Sequence, residues 1–589
     1  MRRASFRGAV VSVAATSALT AMTFAGSATG SPSPVPTVGP VPDSVTITPE
    51  DCSSAVLGGS VEAADIGEPT TGATLTTFNW SMNPVPYCDI RGAIHPVDPA
   101  APPINFRVSL PATWTHRAVQ YGGAGLNGSV VNTTGNLAQG WAGLGSDSGH
   151  SFATPNWPAN EESVKNFGYM QLKKTHDVAW EVIERAYGST PVYSYFFGSS
   201  QGGREGLTVA QRYPEDYDGV SARVPVVGFS TLMLEFVILR QQEIPLENWV
   251  TPAKANAIAA EIMRQCDTLD FLADGVINNY AACRANFDPD EKPNHDPWRD
   301  KRCPGGVDPD PADTSVDACL TDGQISTLET TYSKYEFTSP LAHGTTSHGF
   351  AVPSVDVLGS AFRRFIVPTR YAGQEGAAPD APTTSWNAAP VILGTLFEDL
   401  GADPLDYVEG DPYFEQRRQL ASEWLDSTDP DLTEFHARGG KLLVTVGAAD
   451  NTAASGAQLD YYESVLDFMG KNAVEQFARF WVVPQGGHGL SGSNASVNGY
   501  GEPVPGFSLP SSFDQNGALV DWVENGVAPP LHPIVSSNAR SWPLCSYPMY
   551  PRYDGRGAFD DADSYRCMRP VPADTPLTGR NKKAPSIAG

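Results

Sequence analysis

The sequence predicts an α/β protein with a mostly parallel sheet and one large inserted segment. Three apolar runs of β-type residues, 192–197, 441–447 and 480–483, are continuous rather than alternating, and helix-forming stretches such as 164–186 flank them. Continuous apolar runs are typical of strands buried on both faces, and helical connections allow such strands to be parallel. A Gly-x-Ser-x-Gly pattern directly after the first run favours the same class.

That pattern comprises Gly198, Ser200 and Gly202, and a helix-forming run that stops at Pro214 follows it. Strand, sharp turn and helix in this order form a nucleophile elbow, which lifts one serine hydroxyl out of the end of a sheet. Glycines are needed because side chains there would collide with the neighbouring strand and helix. A Gly/Ser-rich loop that matches by chance is the alternative, and the flanking elements disfavour it. Ser200 is therefore the predicted nucleophile.

A serine hydroxyl is a weak nucleophile, so the chain must also supply a base and a group that orients the base. In the α/β-hydrolase arrangement an acid and then a histidine follow the serine, each just beyond a strand. Asp450 follows the second apolar run, and His488 follows the third in a Gly-Gly-His-Gly loop. The histidines at 150 and 436 are weaker rivals. Asp450 and His488 are the predicted partners of the serine.

Acyl transfer also needs two N–H donors aimed at the developing oxyanion. The backbone of Gln201 supplies one, because free N–H groups point outward at the start of a helix. A second donor usually comes from a glycine-rich loop after an earlier strand, and 119–128 has that form. Gly125 is the predicted second donor. Without the serine pattern, a plain glycine-rich turn would be the preferred interpretation.

Ser200 and Asp450 must meet although 249 residues separate them in the sequence. The segment 227–402 is rich in Pro, Gly, Asp and Thr and has weak periodicity, unlike the strand and helix alternation on either side. We therefore expect a core made of 43–226 and 403–589, with 227–402 inserted as a lid.

The N-terminus predicts export. Three arginines precede a mostly apolar run and then small residues, so 1–28 is predicted to be a secretory signal peptide. The stretch 29–42 is rich in Pro, Ser, Thr and Gly and is predicted to be a disordered leader. No later stretch approaches the ~20 apolar residues of a membrane span. A formal net charge of −27 repels nucleic acid and anionic membranes, so neither is an expected partner.

Eight cysteines in an exported chain imply disulfides. They fall into four sequence-local pairs, but that pairing is one of about 105 possible connectivities, and the residues alone leave the choice open. Within the insertion, the segment 266–283 places three carboxylates between two cysteines: Asp267, Asp270 and Asp274. A calcium ion could bind all three carboxylates, and backbone carbonyls such as those of Leu272 and Val276 would complete its coordination. By pattern alone a solvated acidic turn is favoured.

Several ordered motifs resemble the tannase and feruloyl esterase family, over about 52 to 567. The motifs are 198–205, 213–220, 266–283, 438–441, 460–463 and 543–548. The segments 122–129 and 272–280 resemble the bacterial branch that includes mono-hydroxyethyl terephthalate hydrolase.

The resemblance implies an α/β-hydrolase core and a lid that shapes the substrate pocket and carries a structural calcium. It supports Ser200, Asp450 and His488 as the catalytic triad, and the N–H groups of Gln201 and Gly125 as oxyanion donors. The resemblance favours a calcium site over a solvated acidic turn. The ligands that it implies are Asp267, Asp270, Asp274 and the carbonyls of Leu272 and Val276. The family's disulfide pattern agrees with Cys52–Cys88, Cys266–Cys283, Cys303–Cys319 and Cys545–Cys567.

One departure from the family concerns the two catalytic loops. Family members usually join a cysteine before the serine to a cysteine after the histidine, and here those positions are Ser199 and Gly489. Both cysteines are absent together, so no orphan thiol remains. We expect a looser His488 loop as a result.

The expected activity is a secreted serine esterase that cleaves esters of phenolic acids, such as feruloyl, caffeoyl or galloyl esters, through an acyl-enzyme. The lid stretch 330–404 departs most from the family, and no terephthalate-binding arginine is matched there. Candidate residues for lining the substrate pocket are Arg363, Arg364, Arg370, Tyr371 and Trp386. An ordinary surface position, without contact to substrate, is at least as favoured for them. The alternatives are a terephthalate ester hydrolase, a secreted serine peptidase and a non-catalytic binding protein on the same fold.

Overall fold

The structure is a computed structural model that describes residues 41–151, 153–243, 245–355, 389–537, 540–570 and 584–588. The predicted signal peptide and nearly all of the predicted leader lie outside the described residues, as do the candidate lining residues at 363, 364, 370, 371 and 386. Among the helices of the described part, none has the length and apolarity needed to cross a membrane.

A mixed sheet of ten strands organises the described residues. In chain order its strands are Ser60–Val61 (β1), Ala73–Ser81 (β2), Tyr87–Ile94 (β3), Ile104–Pro111 (β4), Arg117–Tyr121 (β5), Ala142–Ser146 (β6), Tyr193–Ser199 (β7), Gly219–Arg223 (β8), Lys441–Gly447 (β9) and Ala478–Val483 (β10). Their spatial order is β10-β9-β8-β7-β5-β6-β4-β3-β2-β1. The strands from β10 to β6 pair in parallel, and β4 to β1 continue the sheet antiparallel. The predicted α/β class with a mostly parallel core sheet is confirmed.

The continuous apolar runs are explained by burial of both faces of this sheet. In β7, Phe196 packs into one apolar cluster, whereas Tyr195 and Phe197 pack into another. In β9, Val444 joins the first cluster and Leu443 joins the second. Successive side chains of a strand point to opposite faces, so a strand covered on both sides has apolar residues at most of its positions.

Helices cover the sheet. Those of the described residues are Ser54–Leu57, Glu161–Lys165, Gln171–Tyr187 (α1), Gln201–Arg212 (α2), Phe229–Glu243, Ala255–Cys266, Tyr280–Phe287, Asp322–Tyr332, Ala389–Ile392, Pro412–Leu425, Thr433–Ala437, Ser455–Met469, Lys471–Phe477 and Gln515–Asn525. A π-helical turn joins the two helices of the predicted stretch 164–186. The helix α1 packs on β6, and α2 packs on β7 and β8. Shorter antiparallel pairs are Val45–Thr46 with Thr113–Trp114, Lys334–Glu336 with Ser347–Gly349, Ile534–Ser536 with Ser541–Pro543, and Tyr550–Tyr553 with Tyr565–Met568.

The described part of the inserted segment is more ordered than its weak periodicity suggests. It contains the helices from Phe229–Glu243 to Asp322–Tyr332. Three of them, Ala255–Cys266, Tyr280–Phe287 and Asp322–Tyr332, enclose an apolar cluster around Ile258, Trp298 and Leu328. Its division from the core at 227 and 402 stays a prediction.

Four disulfides join all eight cysteines, every one of which lies in the described part of the chain. The bonds are Cys52–Cys88, Cys266–Cys283, Cys303–Cys319 and Cys545–Cys567. The sequence-local pairing is therefore confirmed.

Candidate active site

The elbow around Ser200 is a strained turn between β7 and α2. Ser200 has φ 62° and ψ −121°, a conformation that costs a residue with a side chain about 1–3 kcal/mol and is typical of functional sites. A Cβ on Gly198 would lie 2.0 Å from the carbonyl oxygen of Gly202, and one on Gly203 would lie 2.5 Å from that of Arg223. The turn is therefore possible only with glycines at these positions.

The three predicted catalytic side chains form one hydrogen-bonded chain. His488 Nε2 lies 2.9 Å from Ser200 Oγ, and His488 Nδ1 lies 2.9 and 3.0 Å from the two carboxylate oxygens of Asp450. A carboxylate at Nδ1 holds the ring in the tautomer whose Nε2 accepts a proton from the serine. The side chain of Asp450 is completely buried, whereas that of His488 is 31% exposed. The geometry is the one that a serine nucleophile, its base and an orienting acid require.

Parallel pairing brings the acid and the histidine together. The last pair of the β9–β10 register is Gly447 with Val483, so the loops that carry Asp450 and His488 leave the same edge of the sheet. These loops also bind each other, because the Ala449 N–H donates to the Gly486 carbonyl at 2.9 Å. The carboxyl edge of a parallel sheet is where ligands bind in folds of this class.

Asp450 is fixed by further donors. The backbone N–H groups of Thr452 and Ala453 donate to its Oδ1 at 3.1 and 3.2 Å, and Gln458 Nε2 donates to Oδ2 at 3.1 Å. Charge-assisted hydrogen bonds of this kind stabilise the ionised carboxylate in a buried site.

The predicted oxyanion donors lie on adjacent elements. Gln201 is the first residue of α2, and the glycine-rich loop (residues 122–128) follows β5. This loop rests directly on the elbow, since a Cβ on Gly122 would lie 2.5 Å from Gly202 Cα. Gly125 has φ 59°, a value that glycine adopts without strain, and no atom lies within 4 Å of the position where its Cβ would be.

The rival histidines do not join the serine. His150 is buried against Trp157 and directs Nε2 to the Leu126 carbonyl at 2.7 Å, and burial lowers its pKa to about 4. His436 stacks on Phe477 with ring centroids 4.7 Å apart.

The acidic segment of the insertion is buried rather than solvated. Asp267, Asp270 and Asp274 are each 0% exposed. Asp270 accepts from Asn278 Nδ2 at 2.5 Å, and Asp274 pairs with Arg540 at 3.1 Å. The structure therefore places the three predicted carboxylates in one interior loop, which the Cys266–Cys283 bond closes.

Burial and mutual repulsion disfavour the ionised forms of these carboxylates. Desolvation followed by the charge of Asp274 raises the pKa of Asp267 to about 7, and the same two causes raise that of Asp270. Desolvation also raises the pKa of Asp274 to about 6, against the opposing effect of Arg540. The side-chain oxygen of Asn278 is buried and accepts no hydrogen bond from the described residues. When all three carboxylates are ionised, they and Arg540 leave a net charge of −2 beside the unused Asn278 oxygen, which fits a divalent cation that prefers oxygen ligands.

The family model described as tannase and feruloyl esterase matches residues 88–568. The chain belongs to this family. An uncharacterized esterase from Agrobacterium fabrum is 31% identical over 87% of this chain and 92% of its own length. Mono(2-hydroxyethyl) terephthalate hydrolase from Piscinibacter sakaiensis is 28% identical over 82% of this chain and 85% of its own length. Feruloyl esterase B from Aspergillus niger is 26% identical over 78% of this chain and 82% of its own length.

Solved structures of the family share this fold. Feruloyl esterase B from Aspergillus oryzae superposes with a TM-score of 0.65 at 24% identity over 90% of this chain and 95% of that one. Tannin acyl hydrolase from Aspergillus niger superposes with a TM-score of 0.61 at 20% identity over 90% of this chain and 96% of that one. The fold is therefore that of an α/β hydrolase, and membership of the family makes the protein a carboxylic ester hydrolase.

Within this family member, Gln485 binds the His488 loop to the insertion. Its Oε1 accepts from the Ile277 N–H at 3.1 Å, and its Nε2 donates to the carbonyls of Gly275 and Ser493 at 3.2 and 3.1 Å. Gly489, where the family usually has a cysteine, has only Ser491 Oγ within 4 Å of an added Cβ. The loop is thus connected to the acidic segment by hydrogen bonds at Gln485, a role that the sequence did not indicate.

Glu205 is a second residue that sequence reasoning missed. It belongs to the motif 198–205, yet an acid inside a helix gave no sign of its partner. The structure shows it 1% exposed, with its Oε2 accepting from the Gly123 N–H at 2.7 Å.

Proposed function

We propose that the protein is a secreted serine esterase that hydrolyses esters of phenolic acids, such as feruloyl, caffeoyl or galloyl esters. The observation that carries the proposal is the hydrogen-bonded chain from Ser200 Oγ through His488 to Asp450 at the end of a strained elbow. Two relatives are named as a feruloyl esterase and a tannin acyl hydrolase, and these activities support an aromatic acyl group in the substrate. Four disulfides support an oxidising compartment outside the cell.

The proposed reaction is acyl transfer through a covalent ester. His488 Nε2 takes the hydroxyl proton as Ser200 Oγ attacks the ester carbonyl, and Asp450 stabilises the imidazolium that forms. The backbone N–H groups of Gln201 and Gly125 hold the oxyanion, a contribution of about 2.7 to 4 kcal/mol per donor in enzymes of this type. The tetrahedral intermediate collapses, and the alcohol leaves with the proton from His488. Water then repeats the sequence on the acyl-enzyme and releases the aromatic acid.

The test is release of acid from a panel of esters by wild type, Ser200→Ala and the matched control Ser199→Ala. The panel contains methyl gallate, methyl ferulate, chlorogenic acid, mono-hydroxyethyl terephthalate and p-nitrophenyl butyrate. Ser199 is the exposed neighbour of Ser200, so its loss should leave turnover intact. We expect hydrolysis of a phenolic ester that only Ser200→Ala abolishes.

Other outcomes separate the alternatives. Preference for the terephthalate ester would favour the activity named for the Piscinibacter sakaiensis relative. Cleavage of p-nitrophenyl butyrate alone would contradict the proposed specificity for esters of aromatic acids. Binding of a phenolic ester without release of acid would favour a binding protein, and faster cleavage of matched amides than of esters would favour a peptidase.

We also propose a structural calcium ion held by Asp267, Asp270, Asp274 and the carbonyls of Leu272 and Val276. The buried charge of the cluster and the unused Asn278 oxygen support this assignment. When bound, the ion would offset the repulsion between the carboxylates and fix the loop that contacts Gln485.

Metal content and the melting temperature test the calcium site without reference to activity. Dialysis against EGTA should lower the melting temperature, and added calcium should restore it. Asp270→Asn should lose bound calcium, whereas Asp290→Asn, an exposed acid of the same insertion, should retain it. A purified protein that contains no calcium and is insensitive to EGTA would contradict the assignment.

A further inference from the structure

Glu205 is a buried carboxylate near the elbow that the Ser–His–Asp chain does not use. It lies on α2, five residues after Ser200, and is 1% exposed. Its Oε2 accepts from the Gly123 N–H at 2.7 Å, and its Oε1 accepts from Gln171 Nε2 at 3.2 Å. The carboxylate therefore connects three elements: the helix of the elbow, the start of α1 and the glycine-rich loop.

The glycine-rich loop lies too close to the elbow for side chains to fit between the two backbones. A Cβ on Gly202 would be 2.7 Å from the Gly123 carbonyl oxygen, and one on Gly122 would also collide with Gly202. The contact between the two turns is therefore backbone against backbone. In such a contact van der Waals packing sets the separation, but hydrogen bonds are needed to set the direction in which the N–H groups point.

The same network reaches the other end of the loop. Gln171 Oε1 accepts from Ser146 Oγ at 2.6 Å, and Ser146 Oγ accepts from the Ser148 N–H at 3.1 Å. Asn127 Nδ2 then donates to Ser148 Oγ. Both flanks of Gly125, at Gly123 and at Asn127, are thus held by one chain of buried hydrogen bonds that begins at Glu205.

We propose that Glu205 is a positioning residue, which sets the direction of the Gly125 N–H toward the oxyanion through its bond to Gly123. This inference rests on the proposed function, because it assumes that Gly125 donates to the reacting carbonyl. Misplacement of a catalytic group by about 1 Å costs on the order of 100-fold in rate. A side chain that never touches substrate can therefore control turnover while leaving ground-state binding intact.

The burial of this carboxylate is not explained by stability. Desolvation raises the pKa of Glu205 to about 7, although Arg204 and the Gly123 N–H act in the opposite direction. A buried carboxyl with a strongly raised pKa beside a reactive serine marks a candidate functional position, and its hydrogen bond to Gly123 indicates which group it acts on.

The experiment compares Glu205→Ala, Glu205→Asp and Glu205→Gln with the wild type. The control is Glu524→Ala, which removes an acid paired with Arg117 at the first residue of β5, the end of that strand remote from the glycine-rich loop. The readouts are kcat and KM with p-nitrophenyl butyrate, affinity for an aryl boronic acid that forms a tetrahedral adduct on serine, and hydrogen exchange of peptides covering 119–128. The butyrate makes the measurement independent of aromatic specificity.

We expect Glu205→Ala to lower kcat about 30-fold to 100-fold, and boronate affinity by a similar factor, with KM within about threefold. Glu205→Asp keeps the charge but shortens the side chain, so it should also lose kcat. Glu205→Gln retains an acceptor for Gly123 and should recover most of the rate. Exchange over 119–128 should accelerate in Glu205→Ala and not in Glu524→Ala.

Two results would overturn the inference: unchanged exchange over 119–128 in both Glu205→Ala and Glu205→Asp, or equal losses of kcat in Glu205→Ala and Glu524→Ala. Failure of the proposed function looks different. In that case the wild type itself would neither hydrolyse the butyrate nor bind the boronate, while the exchange difference at the loop would persist and would still assign the positioning contact to Glu205.

Discussion

The replacement Glu205→Gln should change the dependence of stability on pH. The folded pKa of Glu205 is about 7, against an ordinary value of 4.5. Between these values the folded protein holds a proton that the unfolded chain has lost, so the free energy of unfolding falls as the pH rises through this window. Glutamine does not titrate and removes this loss.

The magnitude can be worked out from the same two values. Each pKa unit corresponds to about 1.36 kcal/mol, so the stability of Glu205→Gln relative to the wild type should increase by about 3 kcal/mol between pH 4 and pH 8. Any constant difference in hydrogen bonding cancels in this comparison. For a chain of this length, 1 kcal/mol changes the melting temperature by about 1 °C, so the melting temperature of Glu205→Gln minus that of the wild type should increase by about 3 °C between pH 4 and pH 8.

The assay is thermal or urea unfolding of both proteins at closely spaced pH values from 4 to 8. Glu434→Gln is the matched control, because Glu434 is exposed on a helix and its solvated carboxylate lacks the burial that causes the effect. A melting temperature of Glu205→Gln minus that of the wild type that stays constant, or decreases, as the pH rises would refute the account of Glu205 as a carboxylate buried at a cost to stability.

Three further predictions concern the catalytic loops. Asp450→Asn should lower kcat by about 10⁴-fold with little change in KM, because His488 would lose the carboxylate that holds its reactive tautomer, and a fall below tenfold in steady-state kinetics would contradict this role. Gln485→Ala should lower kcat and accelerate hydrogen exchange in the 484–493 loop, because it removes the bonds to Ile277 and Gly275; equal exchange in variant and wild type would count against it. Paired cysteines at 199 and 489 should form a disulfide under oxidising conditions if the two loops approach as in the family, and free thiols by mass spectrometry would show that their Cα atoms lie more than about 7 Å apart.

The meeting of Ser200, Asp450 and His488 could be predicted because each lies just beyond a strand whose residues are mostly apolar. Burial on both faces made β7, β9 and β10 visible in the sequence, and the loops at the carboxyl ends of parallel strands lie along one edge of the sheet. The structure then brought Ser200, Asp450 and His488 together as predicted. The residues alone left the cysteine pairing open. The family's pattern favoured the sequence-local pairs, and the bonded cysteines are 16 to 36 residues apart.

The contacts that support the site could not be predicted. Glu205 binds Gly123, 82 positions away in sequence, and Gln485 binds Ile277, 208 positions away. Both are polar residues within otherwise ordinary segments, and only the folded chain shows the partner that each side chain contacts. The individual helices of the insertion were not predicted, because the segment is rich in Pro, Gly, Asp and Thr and its periodicity in the sequence is weak.

The measurement that tests the central claim most directly is the location of the acyl group during turnover. The enzyme would be mixed with p-nitrophenyl ferulate, quenched in acid within milliseconds to seconds, and digested for mass spectrometry. We expect a feruloyl group on the peptide that contains Ser200, formed in a burst with p-nitrophenol and absent from Ser200→Ala. Release of ferulic acid with the acyl group on another residue, or sustained turnover by Ser200→Ala, would contradict the account.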